Sequence, residues 1–507
     1  MFLSRLVMWI GRLRAFLFPF SSNPESRPWL WCAMVVLIGG FELLVALAET
    51  KAPPPPVEFD PALKDQEVEP GTKAVALRGD DERLRPETQL QVMIGRTLVT
   101  FTGAFTLDWN FQDNLNLESA RERDRFRFSP ELQLNLIAAF PDGFYLFTEL
   151  GLEDELTVRQ GDKPTNAFDL QVNEFFLQAP LPFDVPSALR IGRQQFFEPR
   201  RWFLNETLDG IRLLVDPAPF HFRMSVSTPV PSLDRRVRVF DDIFESRNQI
   251  DLLAEAIMDI FAPKQKSKAA IYLLVRDNDT PRDDDPIWVG LRSFGRPKFS
   301  FKWSTIPWIK QLLKPRLRYW VDAAFVGGTR ASTSIRGYAL DIGASYIARK
   351  LPLRPYLTLA YAQGSGDSHP DDGIDGNFRQ TGFHSNSGKF GGVVNFDYYG
   401  VLFDPELSNM RIFTAGFGFR PLSRTSIDVV YHHYEQVELA SELRSIDVGA
   451  DLTGRSTNLG DEFDLIVGVR EWPTVRVRWR NGYFIPGSAF EQKDHAFETR
   501  LDIQFAF

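Results

Sequence analysis

The closing stretch HAFETRLDIQFAF, His495–Phe507, sorts its residues by parity. Phe497, Thr499, Leu501, Ile503, Phe505 and Phe507 alternate with Glu498, Arg500, Asp502, Gln504 and Ala506. Side chains along a strand point to opposite faces in turn, so this is a strand with one oily and one charged face. Soluble antiparallel sheets alternate too, but they rarely close a chain on an aromatic in that pattern. A strand with lipid on one side and a water-filled lumen on the other needs the division at every step.

The pattern recurs upstream. Between Arg96 and Trp109, Val99, Phe101, Phe105, Leu107 and Trp109 oppose Thr100, Thr102, Thr106 and Asp108. Phe126, Phe128, Leu132, Leu134, Leu136 and Phe140 then oppose Arg127, Ser129, Glu131, Gln133 and Asn135. Comparable runs begin near Phe144, Leu189, Phe222, Ala269, Leu317, Leu340, Leu357, Phe413, Ile427, Phe463 and Val475. With roughly 420 residues and about 23 to 26 per strand and connection, residues 88–507 allow about 16 to 18 strands. The expected fold is all-β: a transmembrane antiparallel barrel with a water-filled, basic lumen, resembling bacterial outer-membrane barrels in its terminal Phe507. A soluble sandwich or propeller is the alternative. The mean hydropathy of −0.20 fits a barrel, because a polar inner face offsets an oily outer one.

Short breaks such as Phe140–Gly143 and Lys350–Leu353 read as tight turns. Longer acidic or Gly/Ser-rich ones, Arg276 to Pro286 and Gly364 to Lys389, read as loops. Ile250 to Phe261 reads as a short helix, with Ile250, Leu253, Ile257 and Phe261 at helical spacing.

The front of the chain reads as an export signal. Arg5, Arg12, Arg14 and Arg27 precede the apolar run Trp29–Leu47, and Ala46-Leu47-Ala48 stands before Glu49: a basic region, an apolar region and a small-residue cleavage site. Residues 1–48 are the expected leader, with an uncleaved anchor as the alternative because Glu42 interrupts the run and Met34 as an alternative start. Residues 49–87 form a proline-rich periplasmic lead-in, expected to be extended or disordered. The one cysteine, Cys32, falls in the leader, leaving no thiol beyond it for a disulfide or metal. No later run of about 18 apolar residues exists to span a bilayer as a helix, so the exported part crosses only as a closed barrel.

Parity also sorts the charges. In Pro473–Tyr483, Val475, Val477 and Trp479 face one way and Arg476, Arg478 and Arg480 the other, at intervals of roughly 6.6 Å. Guanidinium stays charged and grips carboxylates through a planar fork. The same test puts Arg127, Arg190, Arg212, Arg223, Arg316, Arg318 and Arg354 on the inner face. A basic path through a chain of net charge −8 implies an anionic, multiply charged solute. The competing account pairs these arginines with inward acids such as Glu131, Glu149, Glu153, Asp322, Asp464 and Asp502.

Phe378–Asn386 (FRQTGFHSN), Leu407-Ser408-Asn409, Glu462–Leu465 (EFDL), Arg478–Gly487 (RWRNGYFIPG) and Ile191–Gln194 (IGRQ) resemble, in order and spacing, the alginate-export outer-membrane porins. The resemblance covers roughly Arg96 to Phe507. It implies an eighteen-stranded barrel that passes polymannuronate or acetylated alginate from periplasm to cell surface through an arginine-rich constriction. Carried over residue by residue, it implies pore roles for Arg193, Arg379, Arg478, Arg480 and Arg127. Alternation puts Arg190 inside and the resemblance puts Arg193 there, and both hold only if a bulge or strand end shifts the register.

The partners this implies are an anionic polysaccharide, outer-membrane lipid and periplasmic export proteins, around a monomeric barrel in the bacterial outer membrane. A general or small-solute anion porin, including one for uronate oligomer uptake, is the second reading, and a barrel-rim hydrolase the third. His432-His433 beside Glu435 is the one histidine cluster, with its two rings on opposite sides of the wall, and no residues have nucleophile-elbow spacing. No catalytic residue, cofactor or metal is assigned. Gly364 to Asp375 is acidic enough to bind calcium but lacks the ordered ligand spacing of a calcium loop, and reads as a solvated surface loop. Gly388–Gly392 is not a phosphate loop, and basic residues interleaved with acids give no nucleic-acid surface.

Overall fold

Alternating residues satisfy their backbone only by pairing edge to edge, and a ring alone leaves no edge in lipid. The computed structural model describes residues 90–119, 124–141, 143–159, 164–229, 249–260, 267–278, 284–297, 316–444 and 446–507. The expected leader, its cleavage at Ala48 and the proline-rich lead-in lie outside the described residues. In chain order the strands are β1 (Leu90–Ile94), β2 (Thr97–Asp113), β3 (Arg125–Ala139), β4 (Tyr145–Arg159), β5 (Thr165–Pro180), β6 (Ser187–Phe197), β7 (Asn205–Val215), β8 (Phe220–Pro229), β9 (Gln249–Ile260), β10 (Ser267–Asn278) and β11 (Asp284–Gly295). They continue as β12 (Arg316–Arg330), β13 (Thr333–Ile347), β14 (Tyr356–Gly364), β15 (Ile374–Asp375), β16 (Ser387–Gly388), β17 (Phe396–Asp397), β18 (Met410–Leu422), β19 (Thr425–Gln436), β20 (Asn458–Val469), β21 (Val475–Pro486) and β22 (Ala496–Ala506).

From β2 to β14 each strand pairs antiparallel with the next. β14 then pairs with β18, β18 to β22 follow in order, and β22 closes on β2. The ring holds eighteen strands. β1 pairs with the first residues of β2, along the edge that β22 uses further on. The seam ends in a reciprocal pair, Gly103 N to Phe507 O at 2.9 Å and Phe507 N to Gly103 O at 3.0 Å.

Burial follows parity. In β22 Phe505 is 42% exposed while Asp502 is 1%, and in β21 Trp479 is 42% exposed while Arg480 is 3%. Apolar side chains on the outer face meet lipid, and the inner face carries the polar residues together with buried apolar ones such as Trp288, Trp320, Ile412 and Ile466, which form one cluster with Phe390 and Phe396.

Ile250 to Phe261 is not a helix. Its described part is β9, hydrogen-bonded to β8 and β10 along its length. Asp251, Leu253 and Ile257 are buried while Ile250 and Met258 are exposed, which is period two. The inner face of β9 carries Leu253 and Ile257 as well as Asp251, so two oily faces imitated a helical stripe, and pairing on both edges overrides the helical propensity of Leu, Ala and Glu.

Tight turns at one end and long loops at the other give the barrel two unlike mouths. The connection 365–409 between β14 and β18 is the largest described loop, and it folds inward. Gly366 to Gly373 is largely open, in line with a surface loop, but Phe378, Gln380, Phe390, Phe396, Tyr399, Leu402 and Phe403 are buried. Arg276 likewise belongs to β10 and Asp284 to β11, so the loop between them is shorter than expected.

Candidate functional site

Because β21 alternates without a bulge, Arg476, Arg478 and Arg480 share the inner face, and all three reach Asp502 on the neighbouring β22. Arg478 Nε lies 2.7 Å, Arg480 Nη2 3.7 Å and Arg476 Nη2 3.9 Å from its carboxylate. Arg480 Nη1 also pairs with Asp397 of the inward loop at 2.8 Å, and Arg478 Nη1 donates to the Asn395 carbonyl at 3.1 Å. Next to them Arg500 pairs with Asp108 at 2.9 Å. These ion pairs join four guanidiniums to three carboxylates, and a fourth carboxyl, Glu498, is buried on the same face of β22.

The remaining sequence-derived arginines scatter. Arg190 is buried over the Phe176 ring at 4.3 Å, donating to Gln178 and Tyr145. Arg212 is buried 4.8 Å from the Phe196 ring, and Arg223 lies 3.6 Å from Glu255. Arg127 is half-buried on β3 opposite Asn110. Arg318 Nη1 donates to the Phe390 carbonyl at 2.7 Å. The Arg316 side chain lies outside the described residues. Arg354 is not in the wall but exposed in the turn between β13 and β14. Arg379 is on the inward loop, buried and paired with Asp284 at 3.3 Å and with Asp375.

Arg193 does not reach the lumen. It shares the outer face with exposed Ile191 and pairs there with Asp209 at 3.0 Å, while the inner neighbour Gln194 is fully buried. The one shift in this part of the wall, at Glu149/Leu150 between β4 and β5, leaves the β5–β6 register in step, so parity holds and Arg190 is the inward residue. Nor is the inner face uniformly basic, because parity carries acids inward as well. Glu149 and Glu174 stand opposite each other in register, as do Glu131 and Glu153.

The inward loop is anchored on both sides of the lumen. On one side it meets the short loop 198–204. Gln380 Nε2 donates to the Trp202 carbonyl at 2.9 Å, Thr381 Oγ1 to the Phe203 carbonyl at 2.6 Å, and Trp202 Nε1 to Tyr399 Oη at 2.8 Å. Beneath runs a buried charge chain: Glu198 to Arg292 at 3.0 Å, Arg292 to Asp322 at 2.5 Å, Asp322 to Arg200 at 3.3 Å, and Arg200 to Asp341. Burial pushes the Glu198 carboxyl up against the opposing pull of Arg292. On the other side Glu462 accepts from Leu402 N at 2.7 Å and Phe403 N at 3.0 Å, and Phe403 stacks on Phe484 at 4.8 Å.

Sequence reasoning missed Asp397 and Asn395, which look like ordinary loop residues until the loop turns inward. It also missed the Arg500–Asp108 pair, which the parity of both strands could have revealed. His432 and His433 do point to opposite sides. His432 is enclosed between Thr414 and Asp464, and His433 pairs with Asp461 outside. Among the described residues no group of three His, Cys, Asp or Glu side chains is arranged to hold a metal, Gly364 to Asp375 included.

A model of the family described as alginate export matches residues 96–503. The chain belongs to the alginate export family. A curated relative, the alginate production protein AlgE of Pseudomonas aeruginosa, is 24% identical over 237 residues, a match covering 40% of this chain and 44% of that protein. The chain therefore matches less than half the length of that relative. Among solved structures, the outer membrane protein OpdK of P. aeruginosa aligns with a TM-score of 0.52 at 9% identity, covering 81% of this chain and 98% of that one. OccK7 (OpdD) of the same organism aligns at 0.51 and 12% identity, covering 81% and 99%. Likeness at that identity speaks to fold alone. This alginate export family barrel sits in the bacterial outer membrane, where short turns face the periplasm and long loops the cell surface.

Proposed function

We propose that the barrel carries an anionic polysaccharide, alginate or a related polyuronate, passively from periplasm to cell surface past the arginines of β21. The observation that carries this is the convergence of Arg476, Arg478 and Arg480 on one carboxylate, Asp502. A pore must bind its solute well enough to admit it and weakly enough to release it. Asp502 and Asp397 supply the competition, since each sugar carboxylate displaces them briefly and is displaced in turn. Catalysis has no part in this reading. Proteins that hand the polymer to the periplasmic mouth belong to the same proposal.

A mannuronate tetramer should block the conductance of the protein in planar bilayers. Arg478→Gln/Arg480→Gln should weaken the block about tenfold, as expected when one or two charge-assisted hydrogen bonds are lost. A tetramer that blocks the variant as well as the wild type would remove the arginines from the path. A small-solute anion porin is the second reading, favoured by the inward loop, which already occupies much of the lumen with Phe390, Phe396 and Phe403.

A further inference from the structure

At the periplasmic mouth a cavity of about 340 Å³ is lined by Arg296, Arg318, Ile347, Arg349, Arg354 and Arg420. None of these lining residues is acidic. They come from separate elements: the residue after β11, the start of β12, the end of β13, the turn 348–355 and the end of β18. The turn is tied down by Ala348 N to Pro355 O at 2.9 Å, Arg354 N to Leu351 O at 3.1 Å and Arg420 N to Leu353 O at 2.6 Å, so the backbone that carries Arg349 and Arg354 is fixed at the rim.

Two of the arginines have a second task. Arg318 Nη1 donates to the Phe390 carbonyl at 2.7 Å, and Arg420 donates to Gly391 O at 3.1 Å and Gly392 O at 3.0 Å. These bonds hold the deepest part of the inward loop, where only glycine fits. A Cβ on Gly391 would stand 2.3 Å from the Tyr356 ring, and one on Gly392 2.6 Å from the Asp428 carboxylate.

We propose that this periplasmic cavity is the first binding subsite for the uronate chain, and that filling it frees the inward loop because Arg318 and Arg420 serve both. A carboxylate makes a stronger, charge-assisted bond to guanidinium than a neutral carbonyl does. An incoming uronate therefore draws Arg318 and Arg420 away from Phe390, Gly391 and Gly392, and the loop loses its deepest anchor as the polymer arrives. The polymer opens its own path. This rests on the polyuronate reading above, but on different residues.

The test is a spin label at Lys389, beside the latch, in Cys32→Ser/Lys389→Cys protein. Mannuronate tetramer should increase the label's mobility, and Arg349→Gln/Arg354→Gln, on the exposed turn, should raise the concentration required by about tenfold, the lower end of what a focused field contributes. A label that stays immobile at tetramer concentrations that block conductance, or that responds at the same concentration in the variant, overturns the proposal. If the label responds while Arg478→Gln/Arg480→Gln leaves the block untouched, the cavity stands and the lumen reading falls. If the block depends on those arginines and the label never moves, the cavity falls alone.

Discussion

Gln380 makes four hydrogen bonds with one amide: Nε2 donates to the Trp202 carbonyl and Asn386 Oδ1, and Oε1 accepts from Asn386 Nδ2 and Leu407 N. Gln380→Leu leaves several buried groups unsatisfied at about 1–3 kcal/mol each. Hydrogen exchange across residues 380–409 should accelerate in that variant while the strand amides keep their protection. His384, four residues on, adds a pH dependence. Part of its ring is open, but Nδ1 is shut away without a hydrogen-bond partner, and burial lowers its pKa to about 4. An unfolded histidine titrates near 6.5, so between those values the unfolded loop binds the proton and the inserted loop does not. The loop should hold above the unfolded value and weaken as pH falls from about 6.5 to 4, by up to about 3 kcal/mol. His384→Asn should abolish that part of the pH dependence of exchange at residues 381–386. The stretch around these residues was legible as a motif, but its work was not. Gln380, Asn386 and Glu462 hold a loop in place, and Arg379 is tied to Asp284 and Asp375. Periodicity cannot see a contact between residues about 180 apart, such as Thr381 with Phe203.

Between strands, register decides what fits. A Cβ on Gly103 would stand 2.5 Å from the Phe507 ring and 2.7 Å from the Gln133 carbonyl. The ring could swing aside, but the carbonyl belongs to the paired β3. Gly103→Ala should therefore weaken barrel closure by about 1–3 kcal/mol, seen as a lower temperature for the loss of the compact form in gel electrophoresis. Deleting Phe507 in the same background should recover little, because Gln133 remains in the way. Stretches whose inner face is polar, such as Arg476 to Arg480 of β21 and Glu498 to Gln504 of β22, were readable residue by residue. β9 was not, because Leu253 turns inward to join the packing around Phe203 and Tyr272, and an oily residue on each face erases the alternation. Arg354 was misplaced for a related reason, since alternation continued through a turn assigns a face that the chain no longer has.

Across the whole molecule both signs of charge turn inward within the same sectors. β3 to β5 carry Glu131, Glu149, Glu153 and Glu174 together with Arg127, and β21 and β22 carry Arg476, Arg478, Arg480 and Arg500 together with Glu498 and Asp502. On the proposed reading the arginines around Asp502, and not the net charge of −8, set the selectivity of the path. Screening sharpens this, because charges more than about 10 Å away count little at 0.1 M salt. The reversal potential of single channels in a potassium chloride gradient, measured for the wild type and for Arg478→Glu/Arg480→Glu, tests that claim most directly. The arginine path predicts chloride preference in the wild type and potassium preference in the variant. A wild type that prefers potassium, or a variant whose reversal potential does not move, contradicts it.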